Sequence, residues 1–226
     1  MDLASRHFVR DYRRLMRTML RRHGSTESAI LRATGGGDRD AFARLQLEIL
    51  RGAGLRDDHY LIDVGCGAGR LPRQLTALPQ LRFTGLDVVP EMIGFAREQC
   101  ARADWRFLVV EGLEVPENDD VADLVSFFSV LTHLSASESL AYLRDAARTL
   151  KPGGKIIASY LDRHDARHRR HARGPLRQLA HRLLGVGVKN TLLDDATMAD
   201  FARRLGMTIE FLGQPLGQSV CVFTKP

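Results

Sequence analysis

The chain has few cysteines, few lysines and no long apolar run. Its three cysteines, Cys66, Cys100 and Cys221, are far apart and odd in number. They therefore form neither a disulfide framework nor a set of metal ligands, and they predict a cytoplasmic protein without a metal site. No apolar run approaches the roughly 18–20 residues of a membrane span, so we expect no transmembrane segment. No apolar core follows the paired arginines near the N-terminus, so we expect no secretory signal.

Arginine supplies nearly all of the positive charge, because only four of the 33 basic residues are lysines. The formal net charge of +6 is uneven. Residues 1–23 contain seven arginines against two aspartates, and residues 163–182 contain seven against one, so the rest of the chain is net acidic. With 44% hydrophobic residues over 226 positions, the composition predicts one globular domain with an elaboration and excludes wholesale disorder.

The hydrophobic periodicity changes near residue 57. Before it, apolar stripes from Arg6 to Arg22 and from about Arg39 to Arg51 predict an N-terminal helical cap over residues 1–57. After it, short β-rich runs alternate with helical stretches, which is typical of a parallel α/β sheet. The predicted strands are Tyr60–Val64, Arg82–Leu86, Trp105–Val110, Leu124–Phe128, Lys155–Tyr160, Thr208–Leu212 and Ser219–Thr224. We therefore predict an α/β fold for residues 58–226, a doubly wound, mostly parallel, seven-stranded sheet with a C-terminal antiparallel hairpin.

Two local signals refine this prediction. Ser135 followed three residues later by Glu138 predicts a capping box at the start of a helix. The sequence Pro152-Gly153-Gly154 predicts a turn before the fifth strand.

A glycine-rich turn follows the first predicted strand. Glycines stand at 65, 67 and 69, so backbone N–H groups and a helix start face a ligand. A dinucleotide-binding turn would place its third glycine at 70, where this chain has Arg70. Asp63, just before the turn, would repel a pyrophosphate and instead suits a ligand with an amino group.

Asp87 ends the second predicted strand, where a carboxylate can accept hydrogen bonds from both hydroxyls of a ribose. Together with Glu111-Gly112-Leu113, residues 122–125 and residues 151–154, these motifs resemble the class I S-adenosylmethionine-dependent methyltransferases. The resemblance runs from about His59 to Tyr160. It implies a Rossmann-like fold, S-adenosylmethionine as cofactor and S-adenosylhomocysteine as product.

The resemblance also implies roles for individual residues. Asp63 would orient the methionyl amino group. The glycines of the turn, Gly65, Gly67 and Gly69, would let the backbone approach the cofactor closely. Cys66 fills a place in the turn that needs a small residue. Asp87 would bind the ribose. The adenine would lie beside Val88 and Met92, Glu111 and the backbone of Gly112 and Leu113, while Phe127 and Phe128 would run beneath the sulfonium end. Two assignments stay open, because Met92 is equally typical of a core residue and the family often has Asp where Glu111 stands.

Methyl transfer needs a base only when the acceptor must lose a proton, as a hydroxyl does. The stretch after the fourth strand, residues 126–134, lacks the Asn/Asp-Pro-Pro-aromatic signature of exocyclic amine methylation. His133 is the candidate base near the cofactor, the alternative being that it packs or caps the following helix. Tyr12, Tyr160 and His164 are further candidates for contact with the acceptor.

The basic segment, which we place within an insertion at residues 161–193, emerges at the strand ends where ligands of open α/β sheets bind. Its arginines, Arg167 among them, would capture an anionic acceptor, or they form a solvated surface. Four of the eight histidines also lie here, but no acidic or cysteine partners support a metal site.

These observations favour a methyltransferase acting on a small molecule or glycan, with O-methylation slightly favoured over N-methylation. The alternatives are an RNA methyltransferase, suggested by the basic segments and the pI near 9.6, and a membrane-surface or partner-binding module using the basic amphipathic first helix.

Overall fold

We describe the fold from a computed structural model, which describes residues 7–23, 26–33, 39–173, 188 and 190–226. The glycine run 35–37 and residues 174–187 of the basic segment lie outside these described residues. Within them, no helix is both long enough and apolar enough to cross a membrane.

Helices and strands alternate along the described chain. The helices are α1 (His7–His23), α2 (Thr26–Ala33), α3 (Arg39–Gly52), α4 (Arg70–Leu75), α5 (Pro90–Cys100), α6 (Ala136–Thr149), α7 (Ala166–Arg173) and α8 (Asp195–Leu205), with a 3₁₀ turn at Leu131–His133. The strands are β1 (Tyr60–Val64), β2 (Arg82–Asp87), β3 (Arg106–Val109), β4 (Ala122–Phe127), β5 (Leu150–Tyr160), β6 (Thr208–Phe211) and β7 (Ser219–Thr224).

The strands form one seven-stranded sheet in the order β3-β2-β1-β4-β5-β7-β6. The pairs among β1 to β5 are parallel, and β7 runs antiparallel to both β5 and β6. This confirms the predicted mostly parallel sheet with its antiparallel hairpin. Because β1 lies between β2 and β4, the carboxyl ends of these three strands meet at one edge of the sheet.

Burial on both faces of the sheet explains why its strands are nearly continuous apolar runs. All five residues of β1 are buried. Ile62 and Val64 belong to a core that includes residues of α6 and α8, whereas Leu61 belongs to a second core with residues of α3, α4 and α5. Successive side chains of a strand point to opposite faces, so β1 separates the two layers of helices.

Two local features differ from the expectation. Helix α2 was not predicted, because its eight residues are too few to give a clear helical stripe, and its Ala29 and Ile30 are buried by tertiary contacts. The turn predicted at residues 152–154 is wrong, since β5 runs through it with a shift of register against β4. Gly153 has a φ of 74°, and two backbone hydrogen bonds hold the stretch within the sheet: the Gly153 N–H donates to the Lys225 carbonyl at 3.0 Å, and the Lys225 N–H donates to the Gly154 carbonyl at 2.9 Å.

The capping box of α6 is confirmed. Ser135 Oγ accepts from the Glu138 N–H at 3.3 Å, and a Glu138 carboxylate oxygen accepts from the Ser135 N–H at 2.7 Å. We expect Ser135→Ala to lower the free energy of unfolding by about 1 kcal/mol, because the Glu138 amide loses its acceptor.

Urea unfolding followed by circular dichroism measures this change. Ser137→Ala is the matched control, because the exposed Ser137 hydroxyl bonds to the Ser135 hydroxyl and takes no part in the two bonds of the capping box. Equal stability of the two variants would contradict the capping role.

Candidate active site

The glycine turn joins the end of β1 to α4. Gly65, Gly67 and Gly69 all have positive φ angles, of 73°, 55° and 80°. A Cβ at Gly69 would lie 3.0 Å from Ala96 of α5, so the absence of a side chain lets the turn pack against that helix. A Cβ at Gly67 would find its nearest neighbour 4.0 Å away and would fill space above the turn. The turn therefore offers backbone, without side chains, to a ligand.

Asp63 is buried near the end of β1, with 3% of its surface exposed. Ser126 Oγ of β4 donates to its carboxylate at 2.7 Å. Burial raises the pKa of Asp63 to about 7, and the nearby Asp87 charge raises it further, while the Ser126 hydrogen bond opposes the shift. A buried carboxyl group with a raised pKa binds a cation well, because a nearby positive charge stabilises the ionised carboxylate that burial destabilises.

Asp87 at the end of β2 holds two loops together. One carboxylate oxygen accepts from the Gly67 N–H at 2.9 Å and the other accepts from the Val89 N–H, also at 2.9 Å. Burial raises the pKa of Asp87 to about 6 in spite of these amides. A carboxylate has roughly four acceptor positions, so two remain for ligand hydroxyls.

Cys66 lies inside the glycine turn as a buried, free thiol. Burial raises the pKa of this thiol well above its usual range, so it stays protonated. Its sulfur would lie 3.0 Å from a Cβ placed on Gly85 of β2, which means that the side chain fills the gap between turn and strand. Cys66 thus acts by its size, in keeping with the expectation from the sequence.

The third strand brings Glu111 to the same edge, where its side chain is 60% exposed. It is bound by Arg13 of α1, a residue that the sequence did not single out. Two guanidinium nitrogens of Arg13 lie 3.2 Å from Glu111 Oε1, and its Nε donates to the Val88 carbonyl at 2.9 Å. No local signal in the sequence distinguishes Arg13 from the other arginines of α1. Gly112 is buried and Leu113 half-buried nearby.

Met92 and Val88, proposed to lie beside the adenine, contact the N-terminal helices. Met92 is buried in a cluster with Met16, Ala29 and Ile30, and Val88 packs against it. Helices α1 and α2 therefore lie directly on the loop after β2.

Phe127 ends β4 and Phe128 follows it, and both side chains are buried. The Phe127 ring packs edge-on against Tyr142, with the ring centroids 5.2 Å apart. Phe128 belongs to the core on the opposite face of the sheet. Both rings therefore support the floor of the site through the core.

The turn after β4 is held by side chains around Ser129, which has a φ of 63°. Its N–H donates to Ser159 Oγ at 2.7 Å, and its carbonyl accepts from Thr132 Oγ1 at 2.8 Å. Val130 lies over Gly65, since a Cβ there would stand 2.5 Å from a Val130 methyl. The stretch that leads to His133 is thus packed against the glycine turn.

His133 is half-buried at the end of the 3₁₀ turn. Its ring packs edge-on against Tyr12 of α1, with centroids 5.3 Å apart. The cap of α6 is Ser135, so His133 is not the cap residue. The structure therefore brings together two of the residues that the sequence proposed for the acceptor side.

The other acceptor candidates have different partners. Tyr160 is 1% exposed and its hydroxyl donates to Asp195, so burial and this bond raise its pKa well above the usual range. His164 is exposed, with Nε2 3.7 Å from Asp194. Arg167 is also exposed and bonds to Asp165 and Gln214.

The C-terminal end of the insertion at residues 161–193 nevertheless lies beside the candidate site. The Thr191 N–H donates to the Thr132 carbonyl at 2.7 Å, next to His133. His168, which the sequence counted only among possible metal ligands, is 2% exposed and bonded to Asp162 N–H and Gly217 C=O. Among residues with described positions, no three His, Cys, Asp or Glu side chains are grouped to hold a metal ion.

Comparisons with known proteins agree with this geometry. A sequence model described as a methyltransferase domain matches residues 61–154. A ubiquinone biosynthesis O-methyltransferase of Xanthomonas euvesicatoria is 31% identical over 156 residues, which are 66% of this chain and 63% of that protein. One of Xanthomonas oryzae is 35% identical over 107 residues, 46% of this chain and 43% of that protein. The chain thus spans less than two thirds of the length of either relative.

Solved structures show the same fold. Magnesium protoporphyrin IX methyltransferase from Synechocystis PCC 6803, solved with bound S-adenosylhomocysteine, superposes with a TM-score of 0.64 at 17% identity, over 96% of this chain and 98% of that one. An S-adenosylmethionine-dependent methyltransferase from Aquifex aeolicus gives a TM-score of 0.58 at 17% identity, over 84% of this chain and 98% of that one.

The buried carboxylate of Asp63 leads to a stability prediction. Its pKa is about 7 in the folded chain against an ordinary 3.8. Below about pH 4 both folded and unfolded chains are protonated at this position, whereas above about pH 7 the ionised group destabilises the folded chain. Since one pKa unit corresponds to about 1.4 kcal/mol, we expect Asp63→Asn to be more stable by roughly 1–3 kcal/mol at about pH 8.

Urea unfolding of both proteins at a series of pH values measures this difference, which should shrink to zero near pH 4. Equal stability at the alkaline end would contradict the assigned desolvation of Asp63.

Proposed function

We propose that the chain is a class I S-adenosylmethionine-dependent methyltransferase and that it methylates a hydroxyl oxygen of a small-molecule acceptor; the methyltransferase-domain match over residues 61–154 and the shared fold support the class. The observation that carries this proposal is the pair His133 and Tyr12 at the edge of the sheet that also holds Asp63 and Asp87. The ubiquinone biosynthesis O-methyltransferases among its relatives support oxygen as the acceptor atom.

The residues present fit the cofactor. Asp63 is a desolvated acid suited to an ammonium group, Gly67 leaves open space above a bare backbone, and Asp87 retains acceptor positions for ribose hydroxyls. When bound, S-adenosylmethionine supplies a methyl group activated by its sulfonium. Asp63 would then hold the methionyl end, Asp87 the ribose, and Val88 and Glu111 would flank the adenine.

His133 would take the proton that an acceptor hydroxyl loses on methylation. Half-burial and the Tyr12 ring limit the positions that the imidazole can adopt, which favours a defined distance to the acceptor. Proton removal by a positioned base contributes roughly 10²–10⁴-fold to rate.

The turn between β4 and His133 orients this base. Ser159 and Thr132 hold Ser129 in its left-handed conformation, and Val130 packs on Gly65. The glycine turn and His133 are thereby kept in a fixed arrangement. We place the acceptor between them, under α1. The three buried free thiols of the chain are consistent with work in a reducing, cytoplasmic compartment.

Cofactor binding provides a test that does not need the acceptor. An ammonium group beside Asp63 favours the ionised carboxylate, so its pKa, about 7 in the free protein, should fall on binding. Binding of S-adenosylhomocysteine should therefore release a proton at about pH 6.5 and tighten as the pH rises towards 8.

Calorimetry in two buffers of different ionisation enthalpy measures the released proton. Asp63→Asn is the matched variant, and it should bind more weakly and release no proton at this site. A wild-type chain that binds the ligand with no pH dependence would overturn the placement of the amino group.

A substitution at His133 distinguishes a general base from a residue that only packs. We expect His133→Asn to lower turnover by about 10²–10⁴-fold, because the amide cannot accept the hydroxyl proton, while affinity for S-adenosylhomocysteine stays level. Transfer of a labelled methyl group to a panel of small phenols, sugars, amines and RNA measures turnover and identifies the acceptor class.

The asparagine variant retains a polar side chain of similar reach, so a melting curve recorded beside the rate detects lost packing. Full turnover in a destabilised variant would assign His133 to packing. Methyl transfer to amines or RNA alone would refute the hydroxyl acceptor.

A further inference from the structure

Helix α1 crosses the carboxyl edge of the sheet from the acceptor side to the cofactor side. His7 lies 3.2 Å from Glu138 at the start of α6, and Tyr12 contacts His133. One residue later, Arg13 reaches the loops after β2 and β3. The helix therefore passes over both halves of the candidate site.

Arg13 contacts both the loop after β2 and the loop after β3, which are already joined where they begin by a hydrogen bond from the Val110 N–H to the Asp87 carbonyl. Its Nε donates to the carbonyl of Val88, directly after Asp87, and its terminal nitrogens bond to Glu111, two residues after the end of β3. The Arg13 side chain is 31% exposed and that of Glu111 is 60% exposed, so Arg13 is the more shielded partner of this charge-assisted hydrogen bond. An arginine can make both contacts at once, because its planar fork carries donors on separate nitrogens.

A second observation places α1 and α2 on the cofactor loops. Met16, Ala29 and Ile30 are fully buried, and they form one apolar cluster with Ala68 of the glycine turn and with Val89 and Met92 after β2. The apolar surface of the two helices is therefore buried against the loops that would hold the cofactor. Moving the helices away would expose this cluster and break the Arg13 contacts together.

We propose that Arg13 is a cofactor-site residue whose bridge from Val88 to Glu111 closes the adenine end, so that α1 and α2 form a lid over S-adenosylmethionine. This inference rests on the proposed cofactor site and adds to it a residue from the N-terminal helices. Glu111 contributes to the lid as the hydrogen-bond partner of Arg13. Cofactor exchange then requires the lid to open, and the strength of the bridge sets the dissociation rate.

The dissociation rate of S-adenosylhomocysteine tests the lid. We expect Arg13→Ala and Glu111→Ala each to speed dissociation about 10-fold, as loss of a charge-assisted contact implies. The double variant should be no faster than either single variant, because both remove the same bridge. The dissociation rate of Arg13→Lys should lie between those of wild type and Arg13→Ala, since lysine keeps the charge and loses the planar guanidinium with its several donors.

Arg14→Ala is the matched control, because it removes an equal charge from an exposed position of the same helix. It should leave the dissociation rate within twofold of wild type. Hydrogen exchange of the α1 and α2 amides gives a second readout: S-adenosylhomocysteine should slow exchange in wild type and in Arg14→Ala, and slow it less in Arg13→Ala.

Equal dissociation rates and equal exchange in Arg13→Ala, Arg13→Lys and Arg14→Ala would overturn the lid while leaving the cofactor site intact. A wild-type chain that does not bind S-adenosylhomocysteine would overturn both the lid and the proposed function.

Discussion

Two carboxylates at the ends of neighbouring parallel strands, Asp63 buried and Asp87 half-buried, are the constraint on which the site depends. Such groups are tolerated only where hydrogen bonds replace the lost hydration. The Ser126 hydroxyl donates to Asp63, and the backbone N–H groups of Gly67 and Val89 donate to Asp87. These bonds tie β1 to β4 and the glycine turn to the loop after β2. The chain therefore keeps a destabilising acid pair and gains a preorganised place for a cationic, hydroxyl-bearing ligand.

Closure of this place comes from elements outside the sheet. The parallel strands supply a floor, but their carboxyl ends are open to solvent unless other segments cover them. Helix α1 covers them by combining apolar burial at Met16 with polar contacts at Tyr12 and Arg13. Burial at Met16 sets the rotation of the helix about its axis, and that rotation turns Tyr12 towards His133 and Arg13 towards Glu111. The proposed cofactor and acceptor sides are thus linked through adjacent residues of one helix.

Local periodicity was enough to predict much of the fold. The run Tyr60–Val64 is a strand with the expected bounds, because burial on both faces demands five consecutive residues of low polarity apart from Asp63. The capping box at Ser135 was equally predictable, since it involves atoms only three residues apart. The stretch 152–154 was not, because hydrogen bonds to the distant Lys225 hold it within β5. Tyr160 was proposed as a contact of the acceptor because it lies in an element that flanks the site, whereas the side of the strand on which it lies decides its burial.

The sequence by itself determined the order of strands and helices, the glycine turn and the acids at the strand ends, because each is encoded within a few neighbouring residues. Only the tertiary structure decided which of seven N-terminal arginines reaches the site. Arg13 and Glu111 are 98 positions apart, and nothing local to either distinguishes it from its neighbours. Their contact exists because packing of Met16 on Ala68 and Met92 fixes how α1 lies on the sheet. A pattern along the chain records burial, but the pairing of distant side chains follows from how the buried faces fit together.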